Sequence, residues 1–233
     1  MLYLIGLGLN DEKDLSLKAV ESLKKCGAVY AEFYTNVWNG NIKKLEREIG
    51  KKIIILEREK VESVFLVKDA KEKNVALLVP GDPLSATTHT ELIIEAKKNK
   101  VRHVIIHSSS IYTAVAECGL HLYKFGRTTT LVKPGKKFDP ESPYVIIKEN
   151  RKAGLHTLVL LDIGMTIEEG LALLEKHNCI NPENKIIGCS QLGSQKQQIK
   201  YGPAKTLSSA RIPATLIIPG KLNFKEEEFL EAL

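Results

Sequence analysis

A chain of 233 residues, 43% hydrophobic and 27% charged, carries enough apolar material for a full core, as one large domain or two small ones. Four cysteines, Cys26, Cys118, Cys179 and Cys189, lie far apart and form no C-x-x-C pair, which speaks against a zinc site or disulfide framework and for free buried thiols. The net charge of +6 comes from dispersed lysines with no aromatic-interleaved basic stripe, so direct nucleic-acid binding is not expected. No apolar run approaches a membrane span, and Met1 leads directly into a strand pattern; a soluble, cytoplasmic protein is expected.

In chain order, Leu2 to Ile5 reads as a strand ending in Gly6-Leu7-Gly8-Leu9-Asn10-Asp11. A helix capped by Asp14 or Ser16 runs through Leu17, Val20, Leu23 and Lys24 and stops at Gly27. Ala28 to Ala31 is a strand, Ile42 to Ile49 a helix closed by Gly50, and Lys52 to Leu56 a further strand. Helical spacing covers Val61 to Lys73, and the apolar run Val75 to Val79 has the length of a buried strand. After it, Pro80-Gly81-Asp82-Pro83 forces a sharp loop before a helix that starts near Thr90. His103 to His107 is a strand, and Ser110 could cap a helix through Ile111, Ala114, Val115 and Cys118. This alternation predicts an α/β fold with a largely parallel sheet.

The pattern then changes. Thr128 to Val132 is strand-like, Lys133 to Pro143 a Pro-, Gly- and Lys-rich connection, and Tyr144 to Gly154 helical. His156 to Asp162 is a strand, Thr166 to His177 a helix, Lys185 to Cys189 and Ala214 to Ile218 strands, and Phe224 to Leu233 a closing helix. A domain boundary is expected near Ser109, giving an N-terminal α/β domain over 1–109 and a C-terminal α/β domain over 110–233.

The loop after Val79 is the strongest candidate site, because ligands of α/β sheets bind at the carboxyl ends of strands. Its carboxylate, Asp82, has no basic neighbour in sequence, and a plain turn would also explain it. Gly6-x-Gly8 has the start of a dinucleotide fingerprint, but Asp11 stands where the third glycine belongs and would repel a pyrophosphate, which excludes NAD. Ser108-Ser109-Ser110 lacks the G-x-S-x-G elbow of a hydrolase. His103 and His107 share a strand face without a third ligand and read as structural, as does His156; no metal site is expected. Glu32, before Phe33-Tyr34-Thr35, places a carboxylate and a phenol either in a cleft or in a surface turn.

Taken together, these segments resemble the diphthine synthase family, methyltransferases of diphthamide biosynthesis. The resemblance rests on Ile5-Gly6-Leu7-Gly8-Leu9, Tyr30-Ala31-Glu32-Phe33-Tyr34-Thr35, Pro80-Gly81-Asp82-Pro83-Leu84 with Ala86-Thr87-Thr88-His89, and Ser110-Ile111-Tyr112. It continues in Gly119-Leu120-His121-Leu122-Tyr123-Lys124-Phe125-Gly126, Ile147-Lys148-Glu149-Asn150, Gly154-Leu155-His156-Thr157-Leu158 with Leu161-Asp162-Ile163, and Pro219-Gly220-Lys221-Leu222. It implies the tetrapyrrole-methylase fold, two α/β domains with S-adenosylmethionine in the cleft between them, usually in a homodimer. It also implies the substrate, a 3-amino-3-carboxypropyl-histidine of translation elongation factor 2, whose amino group is methylated repeatedly to diphthine while the cofactor leaves as S-adenosylhomocysteine. The short chain resembles the archaeal form, which implies N-methylation without the methyl ester.

Carried over by motif, the implied cofactor contacts are Leu9, Asp82, Ser85, Ser110 and Ile111, with Leu161, Leu192 and Ala214 from the second domain. Ala214 stands where relatives often have histidine, and the stretch between Ile163 and Lys185 is shorter than in the family. Independently, a glycine loop carrying acids suits a phosphate-free, positively charged cofactor better than it suits NAD. Direct displacement by an amine on an activated methyl needs no metal, but it needs a proton acceptor. The sequence names none; Asp82 and Glu32 are candidates only. Competing readings are a methyltransferase of the same fold acting on a corrin precursor or ribosomal RNA, and a non-catalytic adaptor that binds an acidic protein. An adaptor has no need of the two glycine and proline loops.

Overall fold

The computed structural model of the chain describes residues 1–135 and 138–233; Lys136 and Lys137, in the expected Pro-, Gly- and Lys-rich connection, lie outside them. Two compact units divide the chain, Met1–Tyr112 and Thr113–Leu233. The expected junction at Ser109 and Ser110 therefore falls inside the first unit, just ahead of the turn that ends it.

In the first unit, β1 (Leu2–Gly6), α1 (Leu17–Lys25), β2 (Ala28–Ala31), α2 (Ile42–Ile49) and β3 (Ile53–Ile55) follow one another. Then come α3 (Arg58–Val61), α4 (Phe65–Glu72), β4 (Val75–Val79), α5 (Thr90–Lys98) and β5 (His103–Ile106). The single helix expected from Val61 to Lys73 is two, because Ser63 interrupts it: its hydroxyl donates to Lys60 O at 2.8 Å and accepts from Phe65 N at 3.2 Å. Ser16, one of the two expected caps, accepts from Ala19 N and starts α1.

The five strands run parallel in the order β3-β2-β4-β1-β5. Alternate residues of the central strands face opposite cores, which is why their sequences are continuously apolar. Leu2, Leu4, Val75, Leu77 and Val79 pack with Val61 of α3, Leu66 of α4 and Leu92 of α5. Ile5, Ala76 and Leu78 pack with Ala19 and Leu23 of α1 and Leu45 of α2. The connection leaving β1 thus passes over one face and the connection leaving β4 over the other, although the two strands are neighbours. The sheet reverses its winding there, and ligands of open α/β sheets bind at the carboxyl ends of the strands at such switch points.

The second unit contains α6 (Ile111–Ala114), which begins before its boundary and runs into a 3-10 turn over Val115–Cys118, then β6 (Thr129–Leu131), α7 (Ser142–Lys152) and β7 (Thr157–Leu161). It continues with α8 (Ile167–Lys176), β8 (Lys185–Ser190), β9 (Gln198–Pro203), β10 (Ala214–Ile218) and α9 (Phe224–Glu231). Its sheet has the order β6-β7-β10-β8-β9; only β6 and β7 pair parallel, and the remaining ladders are antiparallel. Thr166 caps α8 in a reciprocal capping box with Glu169. Leu131, Val159, Ile186 and Leu216 of the sheet pack on Ile147 of α7 and Leu171 and Leu174 of α8.

Candidate active site

The carboxyl ends of β1, β4 and β5 place three loops together at the switch point of the first sheet. The loops after β1 and β4 are joined backbone to backbone: Gly8 N donates to Gly81 O at 3.1 Å and Gly81 N to Gly8 O at 2.8 Å. Both glycines have left-handed φ, +77° and +68°, and a Cβ on Gly8 would lie 2.3 Å from that of Asp14. Bare backbone therefore forms the floor here.

Asp82, buried beside this bridge, is surrounded by donors. Its Oδ1 accepts from Leu84 N at 3.0 Å and from the Ser85 hydroxyl at 3.3 Å. Its Oδ2 meets His107 Nδ1 at 2.7 Å and accepts from Ser108 N at 3.3 Å. Burial alone would raise its pKa, but the bonds from Leu84 N, His107 and Ser108 N outweigh it and hold the carboxyl below its usual range. The basic partner that the local sequence lacks arrives from β5, which ends at Ile106 and leaves His107 free to turn toward Asp82. A carboxylate in one loop and a histidine directly after the next parallel strand was the available signal. Leu9, Ser85 and Ile111 are half-buried around these loops, and Ser110 is buried.

Glu32 lies past the end of β2 and is completely buried. Its Oε2 accepts from Tyr34 N at 3.0 Å and Thr35 N at 3.1 Å, and Oε1 accepts from the Thr35 hydroxyl. The carboxyl thus closes its own turn, with both oxygens taken by protein donors. Burial pushes its pKa up and that of His89, 3.8 Å away, down. His89 Nδ1 lies 3.2 Å from Pro83 O, so its ring anchors the proline loop from inside.

In the second unit, Leu161 ends β7 and Ala214 begins β10, whose antiparallel ladder with β7 starts at the next residue, Thr215 opposite Leu160. Ala214 pairs with Ser190, the last residue of β8, so Leu192 emerges at the same sheet edge. The three expected contacts are thus gathered on one edge, with Gln191 between them. Gln191 donates from N to Pro213 O at 2.8 Å and from Nε2 to Ile212 O at 3.0 Å, while its buried Oε1 has no partner among the described residues. For a molecule with an apolar body and amine donors this edge is a suitable wall.

One buried cluster was missed in the sequence. Glu226, fully buried, accepts from His121 N at 3.0 Å, Asn223 N at 2.9 Å and His156 Nε2 at 3.1 Å, and pairs with Lys124 Nζ. Burial opposes its charge, yet Lys124 and these donors hold its pKa at about 2. His156 Nδ1 accepts from Gly220 N at 2.8 Å, so its proton sits on Nε2; burial keeps the ring neutral, in the structural role expected of it. The spacing Asn223-x-x-Glu226, a capping box at the start of α9, was the readable signal.

A parallel sheet with glycine-bridged loops at its switch point, followed in the chain by a mixed sheet, defines a class. The profile of the Tetrapyrrole (Corrin/Porphyrin) Methylases matches residues 1–208, and the chain belongs to that family of methyltransferases. It is 45% identical to the diphthine synthase of Methanocaldococcus jannaschii and 44% identical to that of Methanococcus aeolicus, each match covering 100% of this chain and 98% of the relative. A crystal structure of diphthine synthase superimposes with a TM-score of 0.92 at 34% identity, over 99% of this chain and 94% of that one. Within the family, its place is among the diphthine synthases. The alignment with the first relative runs over 253 positions, more than the 233 residues here, so that relative carries residues this chain lacks. No helix among the described residues is long and apolar enough to cross a membrane.

Proposed function

We propose that this chain methylates the amino group of a 3-amino-3-carboxypropyl-histidine on translation elongation factor 2, repeatedly, to the trimethylammonium of diphthine, with S-adenosylmethionine as donor. The supporting observation is full-length similarity to proteins named diphthine synthase, together with glycine-bridged, carboxylate-bearing loops at the switch point of the first sheet. S-Adenosylmethionine supplies a methyl activated on a sulfonium, which an amine displaces so that an N–C bond forms as the C–S bond breaks with its electron pair on sulfur.

Leu9, Asp82, Ser85, Ser110 and Ile111 of the first unit, and Leu161, Leu192 and Ala214 of the second, would hold the cofactor. The chemistry of these residues fits it: hydroxyls, one ionised carboxyl and apolar walls, with no cluster of cations for a phosphate among them. Asp11 is compatible as well, because its carboxylate is already occupied by Lys13 N at 2.9 Å and Asn10 Nδ2 at 3.0 Å. With alanine at position 214, polar contacts to the cofactor on this edge would come from backbone groups. The reading carries with it a cytoplasmic homodimer and a protein rather than a nucleic-acid substrate.

Mass spectrometry of elongation factor 2 bearing the modified histidine, incubated with this protein and S-adenosylmethionine, tests the proposal. Successive methyl-sized increments ending at the trimethylammonium are expected. No increment, with cofactor binding still visible by calorimetry, would move the assignment to another substrate on the same fold.

A further inference from the structure

The proposed reaction needs a group that takes a proton from the substrate in every round. An ammonium has no lone pair with which to attack, and each transfer leaves a new protonated amine until the last hydrogen is gone. The acceptor must be unprotonated, reachable from solvent, and placed at the loops that carry the cofactor contacts. Among the titratable groups of those loops and their surroundings, Asp11 accepts from Lys13 N and Asn10 Nδ2, Asp14 accepts from Asn10 N, Glu32 and His89 are buried and engaged in holding turns, and Asp82 has both oxygens taken by protein donors. His107 differs from all of them.

We propose that His107 is the general base of this methyltransferase, with Asp82 as its positioning partner. This assignment rests on the methyltransferase reading above. The geometry is that of a carboxylate–imidazole dyad: Nδ1 is 2.7 Å from Asp82 Oδ2, while the His107 side chain remains 68% exposed. An ionised carboxylate can only accept, so the Nδ1 nitrogen carries the hydrogen, and in the neutral ring the lone pair is then on Nε2. Among the described residues no group bonds Nε2, and it is therefore free for substrate. Asp82 is itself fixed by Leu84 N, Ser85 and Ser108 N, which leaves the ring one orientation. The same arrangement orients histidines that act as bases in acyl-transfer sites, so its chemistry is general.

The proton balance is simple. The N–H bond of the substrate ammonium breaks, its electron pair stays on nitrogen, and the proton passes to His107 Nε2 and from there to water. Reaching the trimethylammonium from a primary ammonium requires this at each methyl added, and nothing is oxidised or reduced. Asp82 has a second effect. A base that becomes cationic beside a sulfonium would be opposed by that charge, and the adjacent carboxylate offsets it.

Two measurements test the assignment. Two-bond ¹H–¹⁵N NMR of the cofactor-free protein should show the neutral His107 ring as the Nδ1–H tautomer; a neutral ring with its hydrogen on Nε2 would overturn the dyad. The second compares His107→Asn, whose amide can still donate to Asp82, with His107→Ala. His107→Asn should bind S-adenosylmethionine with wild-type affinity by calorimetry, and both variants should lose about 10²-fold in the rate of methyl transfer at saturating cofactor, with added imidazole restoring part of it only in His107→Ala. His107→Asn at wild-type rate would reduce His107 to a structural donor, and weakened cofactor affinity in His107→Asn would do the same. A wild-type protein that binds the cofactor but methylates nothing on elongation factor 2 would instead sink the substrate assignment, and with it this base.

Discussion

Glu226 is a carboxyl that burial alone would neutralise, and its environment prevents that. Lys124, two backbone N–H groups and the His156 ring converge on it and lower its pKa from 4.5 to about 2. A group whose folded pKa is depressed contributes stability that is present above its unfolded pKa and is lost as pH falls through the folded value. Here that contribution is complete above about pH 4.5, disappears toward pH 2, and amounts to on the order of 3 kcal/mol. In Glu226→Gln, urea unfolding should show a stability deficit of that order at pH 7 that narrows steadily between pH 4.5 and 2. A deficit independent of pH would mean that the amide disturbs packing rather than charge.

Asp82 makes a comparable point at the site. Its carboxylate gathers donors from two loops, so its removal should act through loop shape as well as through charge. Charge-assisted bonds of this kind contribute about 1.5–3 kcal/mol each, and losing them in Asp82→Ala should raise the dissociation constant for S-adenosylmethionine at least tenfold. Unchanged affinity by isothermal titration would contradict this role.

At the scale of elements, Gly8 and Gly50 have nearly the same left-handed φ, +77° and +69°, in very different surroundings. A Cβ on Gly50, which closes α2, would meet nothing within 4 Å, whereas one on Gly8 would strike Asp14. Gly50→Ala should therefore cost only the conformational penalty of about 1–2 kcal/mol and leave cofactor affinity intact. Gly8→Ala should cost more and also break the Gly8–Gly81 bridge, with a loss of affinity that calorimetry will detect. Equal effects of the two would deny the bridge a part in binding.

Elements with local signals were legible from sequence. Ser16, Thr166 and Gly50 mark the ends of helices by chemistry that acts within one turn, and the structure bounds those helices accordingly. β9 was not legible. It is a half-exposed edge strand of mixed polarity that ends in Pro203, and its identity depends on pairing with β8. The break at Ser63 was hidden for a related reason, because Val61, Val64 and Phe65 keep a helical spacing across it. At the site, the Gly8 and Asp82 loops stood out by composition, but the contact of His107 with Asp82 did not, since it joins loops that only the strand order makes neighbours.

For the molecule as a whole, the α/β alternation announced the first sheet, while the antiparallel order of the second had no local signature. The energetic organisation follows from how the cores are divided. Buried apolar side chains of the first unit pack in two layers about its parallel sheet, a cluster of the second packs on α7 and α8, and among the described residues no member of one cluster belongs to another. Leu77 lies in the first set and Leu174 in the second, each with no exposed surface. Truncating either to alanine removes transfer free energy and leaves a cavity, at a cost of about 2–5 kcal/mol. Because the two share no packing partner, their costs should add within about 0.5 kcal/mol in a Leu77→Ala, Leu174→Ala double-mutant cycle followed by urea unfolding. Neighbours within one core, such as Leu77 and Leu66, should depart from additivity by more, since each relaxes into the space left by the other. A coupling energy for the Leu77–Leu174 pair as large as that for Leu77–Leu66 would show that strain passes between the units, and the two cores would then have to be treated as one.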